Sequence, residues 1–114
     1  MTERKKTVVV DFDGTIVTHK FPKIGDLQPG VIEALEKISK KFVIIISSCR
    51  NNTEFSNRRS YYQDMVKFLR ENKIPHDGVD DGKNGKPFAE YYIDDRGIRY
   101  NDNWSEIADA LTKS

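Results

Sequence analysis

The chain has 114 residues, a length that suits one domain built around one core and leaves no room for a second. Its 37% hydrophobic and 32% charged residues predict a well-solvated surface over a compact centre, and its net charge of +1 excludes a global electrostatic attraction to nucleic acid or membrane. A lone cysteine, Cys49, excludes an internal disulfide, and no apolar run approaches the roughly 20 residues of a membrane span. The first residues, Thr2-Glu3-Arg4-Lys5-Lys6, run straight into a strand without the apolar region and cleavage site of a signal peptide. These features together predict a cytoplasmic protein.

A first strand is expected over residues 7–10, because Val8, Val9 and Val10 form the continuous apolar run of a buried parallel strand. A loop over 18–28 contains Pro22 and Gly25. Pro29 suits the first turn of a helix, and Val31, Leu35 and Ile38 recur at helical spacing, so the first helix is expected over 29–40. A second buried strand over 42–46 ends at Ser47-Ser48-Cys49-Arg50. Tyr61, Met65, Phe68 and Leu69 mark a second helix that stops near Asn72, ahead of Pro75. A short third strand is expected over 76–80, then a glycine turn from Asp81 to Gly85. A fourth strand over 90–93 ends at Asp94-Asp95, and a fifth covers 97–100. Asn103 with Glu106 has the form of a capping box, and Ile107, Ala108 and Leu111 give the final helix its apolar face. Strands alternating with helices predict an α/β chain: a Rossmann-like three-layer αβα sandwich with a parallel sheet and right-handed crossovers, one domain over 1–114.

The segment Asp11-Phe12-Asp13-Gly14-Thr15 carries the most chemistry. Asp11 and Asp13 fall where the first strand leaves the sheet, and ligands bind at that edge of open α/β sheets. Two carboxylates two residues apart face one small volume and repel each other unless a cation lies between them. A hard divalent ion such as Mg²⁺ meets that need, since it takes oxygen ligands and keeps positions open for phosphate. Gly14 lets the backbone turn sharply and approach a ligand. A serine at the end of the second strand, Ser48 or its neighbour Ser47, can donate a hydrogen bond to a phosphoryl oxygen. Taken singly, the acids read as a turn, the serine as a strand terminus and a lysine as solvated charge. Their order along the chain is what gives them meaning together.

An apolar strand, then Asp11-Phe12-Asp13-Gly14-Thr15 and an apolar residue, resembles the first motif of the haloacid dehalogenase superfamily of aspartate-nucleophile phosphatases. Ser48-Cys49-Arg50 resembles the second motif of its small members, a register that favours Ser48 over Ser47. Lys86-Pro87 looks like the third motif, with Lys83 as the alternative. Tyr92-Ile93-Asp94-Asp95 resembles the fourth in its Asp-Asp form. The resemblance spans the chain from Val8 to about Leu111.

The resemblance implies a Mg²⁺-dependent phosphomonoesterase with a superfamily core and no cap domain. Asp11 would be the nucleophile, forming an aspartyl-phosphate, and Asp13 the acid and then the base. Mg²⁺ would be held by the Asp11 carboxylate, the Asp13 backbone carbonyl and Asp94, with Asp95 a ligand through water or an orienting group. Ser48, Lys86 and turn amides near Phe12 and Asp13 would bind the phosphoryl oxygens, with Gly14 permitting the close approach. Arg50 follows the second motif and is the best member of a candidate basic rim with His19, Lys20, Arg58, Arg59 and Arg96. Without a cap the site should be open, to be covered by a macromolecular substrate or by a neighbour in a homo-oligomer. The phosphorylated substrate is a small molecule or a macromolecule end; net charge does not point to nucleic acid. Rival readings are a receiver-like phospho-acceptor signalling domain and a non-catalytic binding module that kept the fold. Phosphoryl transfer to another alcohol is not distinguished from hydrolysis.

Overall fold

The computed structural model describes residues 5–21, 23–48, 50, 58–80, 89–94, 98–99 and 104–113. Its elements are β1 (Lys6–Asp11), α1 (Val31–Ser39), β2 (Phe42–Ser47), α2 (Arg58–Glu71), β3 (Gly78–Val79), β4 (Tyr91–Asp94), β5 (Ile98–Arg99) and α3 (Trp104–Lys113). The five strands form one sheet in the order β3-β2-β1-β4-β5, and every pairing is parallel. This is the Rossmann-like α/β arrangement that the alternation predicts.

β1 lies at the centre and sets the register. Val8 pairs with Ile44, Val10 with Ile46 and Ile93, so these side chains share one face of the sheet. That face belongs to a single apolar cluster with Leu35 and Ile38 of α1, Met65 and Leu69 of α2, and Trp104, Ile107 and Leu111 of α3. Each such side chain, fully buried, contributes about 1.5–3 kcal/mol. On the opposite face Val9 is buried between half-buried Ile45 and Tyr92, its register partners.

Helix α1 begins at Val31, two residues later than Pro29 suggests. Gly30 takes the N-cap at φ 77°, in the left-handed region, so the helical backbone starts only after it. Helices α1 and α3 pack together, and Lys37 forms an ion pair with Asp109 across them. The Trp104 indole N–H donates to the Thr15 carbonyl at 3.1 Å, tying α3 to the turn after β1. Asn103 of the expected capping box lies outside the described residues.

The expected loop over 18–28 is better organised than its composition suggests. Val17 and Leu27 form an antiparallel bridge, and the Thr18 amide donates to the Asp26 carbonyl at 2.8 Å. The Asp26 amide returns a bond to the Thr18 hydroxyl at 2.8 Å. Gly25 is required where the two arms meet, because a Cβ there would lie 2.1 Å from the Thr18 carbonyl oxygen. Among the described residues no helix is long and apolar enough to cross a membrane.

Candidate active site

Parallel pairing brings the C-terminal ends of β1, β2 and β4 to one edge. Asp11, the last residue of β1, is in register with Ser47, the last of β2. Asp94, the last of β4, stands one step beyond the Val10–Ile93 pair, as Asp11 does on β1. Residues far apart in sequence thus meet because a parallel sheet aligns the ends of its strands.

Beyond Asp11 the chain leaves the sheet in a tight turn. Gly14 sits at φ 85°, and its amide donates to the Val17 carbonyl at 2.8 Å. The Phe12 amide donates to the Ser47 carbonyl at 3.0 Å. Both donors are therefore consumed by the fold, which corrects the expectation that the Phe12 amide binds a phosphoryl oxygen and leaves the Gly14 amide committed to the turn. The Phe12 ring is fully buried and meets Phe68 edge-to-face at 5.9 Å. The Asp13 amide and carbonyl differ: among the described residues neither has a hydrogen-bond partner.

The Asp13 side chain is held from below. Arg50 donates to it through two nitrogens, Nε to Oδ2 at 2.9 Å and Nη2 to Oδ1 at 2.8 Å. Such a fork is the strong, directional form of a charge-assisted pair. The Arg50 side chain is 0% exposed and that of Asp13 is 9% exposed. Arg50 Nη2 also donates to the Lys23 carbonyl at 2.8 Å. The guanidinium carbon lies 4.9 Å from the Phe21 ring centroid and 5.6 Å from that of Phe12. Phe21 in turn packs edge-to-face on Tyr61 of α2 at 5.3 Å. Arg50 is thus no part of a basic rim and does not face a substrate. Burying its charge is tolerable because a carboxylate, a carbonyl and two aromatic rings are among the groups that surround it.

Ser48 joins the same cluster. Its hydroxyl donates to Asp13 Oδ2 at 3.0 Å and accepts from the Arg50 amide at 3.1 Å. With its proton committed to Asp13, Ser48 is corrected from a phosphoryl donor to a support of Asp13. Ser47 is half-buried opposite Asp11, and its hydroxyl has no hydrogen-bond partner among the described residues, which leaves it to serve a ligand. Phe21 and Lys23 were missed at the level of sequence. The available signal was a large aromatic side chain in the loop over 18–28, alongside Ile24 and Leu27, which must find cover somewhere.

Lys86, Lys83, Asp95, Cys49 and Arg96 lie outside the described residues, as do the side chains of Arg58 and Arg59. His19 and Lys20 are exposed, and Lys20 pairs with Asp26 at 3.5 Å. Among the described residues no three His, Cys, Asp or Glu side chains gather into a metal-holding group. The donor chemistry still suits Mg²⁺, which is commonly held by one or two carboxylates with water filling the remaining positions. Asp11 and Asp94 end adjacent strands and the Asp13 carbonyl has no partner among the described residues, whereas the Asp13 carboxylate is held by Arg50.

No family model matches this chain, and no curated protein does. Solved structures are similar to it, among them the following two. A conserved protein from Bacteroides thetaiotaomicron aligns with a TM-score of 0.74 at 24% identity, over 96% of this chain and 92% of that one. A target protein from Vibrio cholerae aligns with a TM-score of 0.53 at 27% identity, over 90% and 87%. They support the α/β fold over essentially the whole chain, and neither description states an activity.

Proposed function

We propose that the protein is a Mg²⁺-dependent phosphomonoesterase that works through an aspartyl-phosphate, a small capless member of the haloacid dehalogenase superfamily. One observation carries the reading. At the end of the central strand a half-buried carboxylate, Asp11, lies near a backbone amide and carbonyl at Asp13 that have no hydrogen-bond partner among the described residues, with Asp94 ending the neighbouring strand. A nucleophile, a phosphoryl-binding donor and cation ligands thus come together at one edge.

The Asp11 carboxylate attacks phosphorus as the bond from phosphorus to the leaving oxygen breaks. Asp13 gives that oxygen its proton, and an alcohol departs. Asp13 then takes a proton from water, whose oxygen attacks the same phosphorus. The bond from Asp11 to phosphorus breaks, freeing phosphate and restoring the carboxylate. The Asp13 amide and the Ser47 hydroxyl donate to phosphoryl oxygens, and Lys86 would add positive charge. Asp11, Asp94 and the Asp13 carbonyl would hold Mg²⁺, which would supply positive charge against the repulsion between nucleophile and phosphate. The single cysteine fits a reducing, cytoplasmic setting, and a capless site fits a bulky phosphorylated substrate or a neighbouring subunit as its cover.

The test is steady-state hydrolysis of p-nitrophenyl phosphate, with Mg²⁺ and with chelator, for wild type and Asp11→Asn. Turnover is expected to need the metal and to fall by at least about a thousandfold in the variant. Equal turnover in both proteins would remove Asp11 from the mechanism. Single-round phosphorylation by a small phosphate donor, without continued hydrolysis, would favour the receiver-like reading.

A further inference from the structure

We propose that Arg50 is a positioning residue that prepares Asp13 for proton transfer by leaving it a single open acceptor site. The inference rests on the phosphatase reading and deepens it. A carboxylate has about four lone-pair sites. Asp13 Oδ2 accepts from Arg50 Nε and from the Ser48 hydroxyl, which fills both of its sites. Asp13 Oδ1 accepts only from Arg50 Nη2, and no further contact of Asp13 exists among the described residues. One lone pair, on Oδ1, is therefore left to carry the proton between leaving group, carboxylate and water.

The orientation of that lone pair follows from the fork. A guanidinium holding both carboxylate oxygens fixes the carboxylate plane, which a single ammonium cannot do. Among the described residues, groups from elsewhere in the chain hold the fork in turn. Lys23 supplies its carbonyl and Phe21 a ring from the hairpin after β1, and Phe12 a ring from the turn. Arg50 is fully buried, so among the described residues its route to the reacting atoms is its fork on Asp13.

Leaving-group dependence tests the role. An aryl phosphate such as p-nitrophenyl phosphate expels an anion that needs no proton, whereas glycerol phosphate expels an alkoxide that does. Arg50→Lys is expected to lose about a hundredfold in kcat/KM on glycerol phosphate, within the range of general acid catalysis, and less than about fivefold on the aryl ester. Asp13→Asn should show the same selectivity, and Arg50→Lys combined with Asp13→Asn should be no slower than Asp13→Asn alone. Equal losses on both substrates, or additive losses in the double variant, would overturn the proposal while leaving the phosphatase reading intact. A wild type inert on both esters, or an Asp11→Asn variant as active as wild type, overturns the phosphatase reading itself. If Arg50→Lys does not fold, Phe21→Leu removes one ring from the guanidinium. It should reduce kcat/KM on glycerol phosphate about tenfold with kcat/KM on the aryl ester little changed, and no selectivity in that variant counts against the proposal.

Discussion

Two ion pairs in this chain use the same charges in opposite surroundings. Arg50–Asp13 lies under the strand ends with side chains 0% and 9% exposed, while Lys37–Asp109 bridges α1 and α3 with side chains 49% and 42% exposed. The outer pair is solvated in either state and adds little, because water and salt screen it and two long side chains lose freedom to form it. The inner pair is different. Its partners have given up water, and each now depends on the other for hydrogen bonds. Buried charge is seldom retained for stability alone, since apolar side chains of similar volume often serve as well. Where it persists at the end of a central strand, it marks the place where orientation matters more than burial.

The largest separation between the two pairs should come from removing one cation at a time. Arg50→Ala leaves Asp13 without its fork in a nearly closed site and is expected to cost about 3–5 kcal/mol in urea unfolding. A loss under 1 kcal/mol would mean that water replaces the guanidinium freely. Next comes the hairpin that supports Arg50. Gly25→Ala drives a methyl into the Thr18 carbonyl, so the arms must part, and a loss of roughly 1–3 kcal/mol is expected, with glycerol phosphate turnover falling along with it. Unchanged turnover in that folded variant would uncouple the hairpin from Asp13. Trp104→Phe keeps the ring in the core but leaves the Thr15 carbonyl unpaired, for about 1–2 kcal/mol by thermal melting. The smallest effect belongs to the outer pair. Lys37→Ala should cost no more than about 1 kcal/mol, and the difference should shrink as salt is raised. A salt-insensitive loss would show that the Lys37 stem, rather than its charge, is what packs.

Much of the architecture was legible because its signals are local. Three consecutive valines specify a strand buried on both faces, and Leu35 and Ile38 specify the inner face of a helix whatever lies opposite. Acids at the ends of two such strands, Asp11 and Asp94, converge once the sheet is parallel, so the sequence order already implied their approach. Helix α1 was less well bounded. Proline at 29 suggests a helix start, but Gly30 adopts a positive φ, and that choice is made by how the hairpin delivers the chain.

The partners of the polar side chains were not legible. Ser47 and Ser48 are alike in sequence, and successive side chains along an extended chain point opposite ways. Only the register with β1 puts Ser47 beside Asp11, and only the turn after β2 folds Ser48 beneath Asp13. Arg50 was the sharper case. Its charge and its place after the second motif suggested a hand extended to a polyanion, yet it is fully buried. A guanidinium seeks whichever acceptors the fold brings within reach, and here those come from Asp13 and Lys23, 37 and 27 residues earlier in the chain. The sequence by itself determined the strand–helix order and the acids that end the strands, because hydrophobic period and turn chemistry act over a few residues. Tertiary structure alone decided which donor each carboxylate oxygen receives, because that depends on distances between segments that meet only when the core has closed.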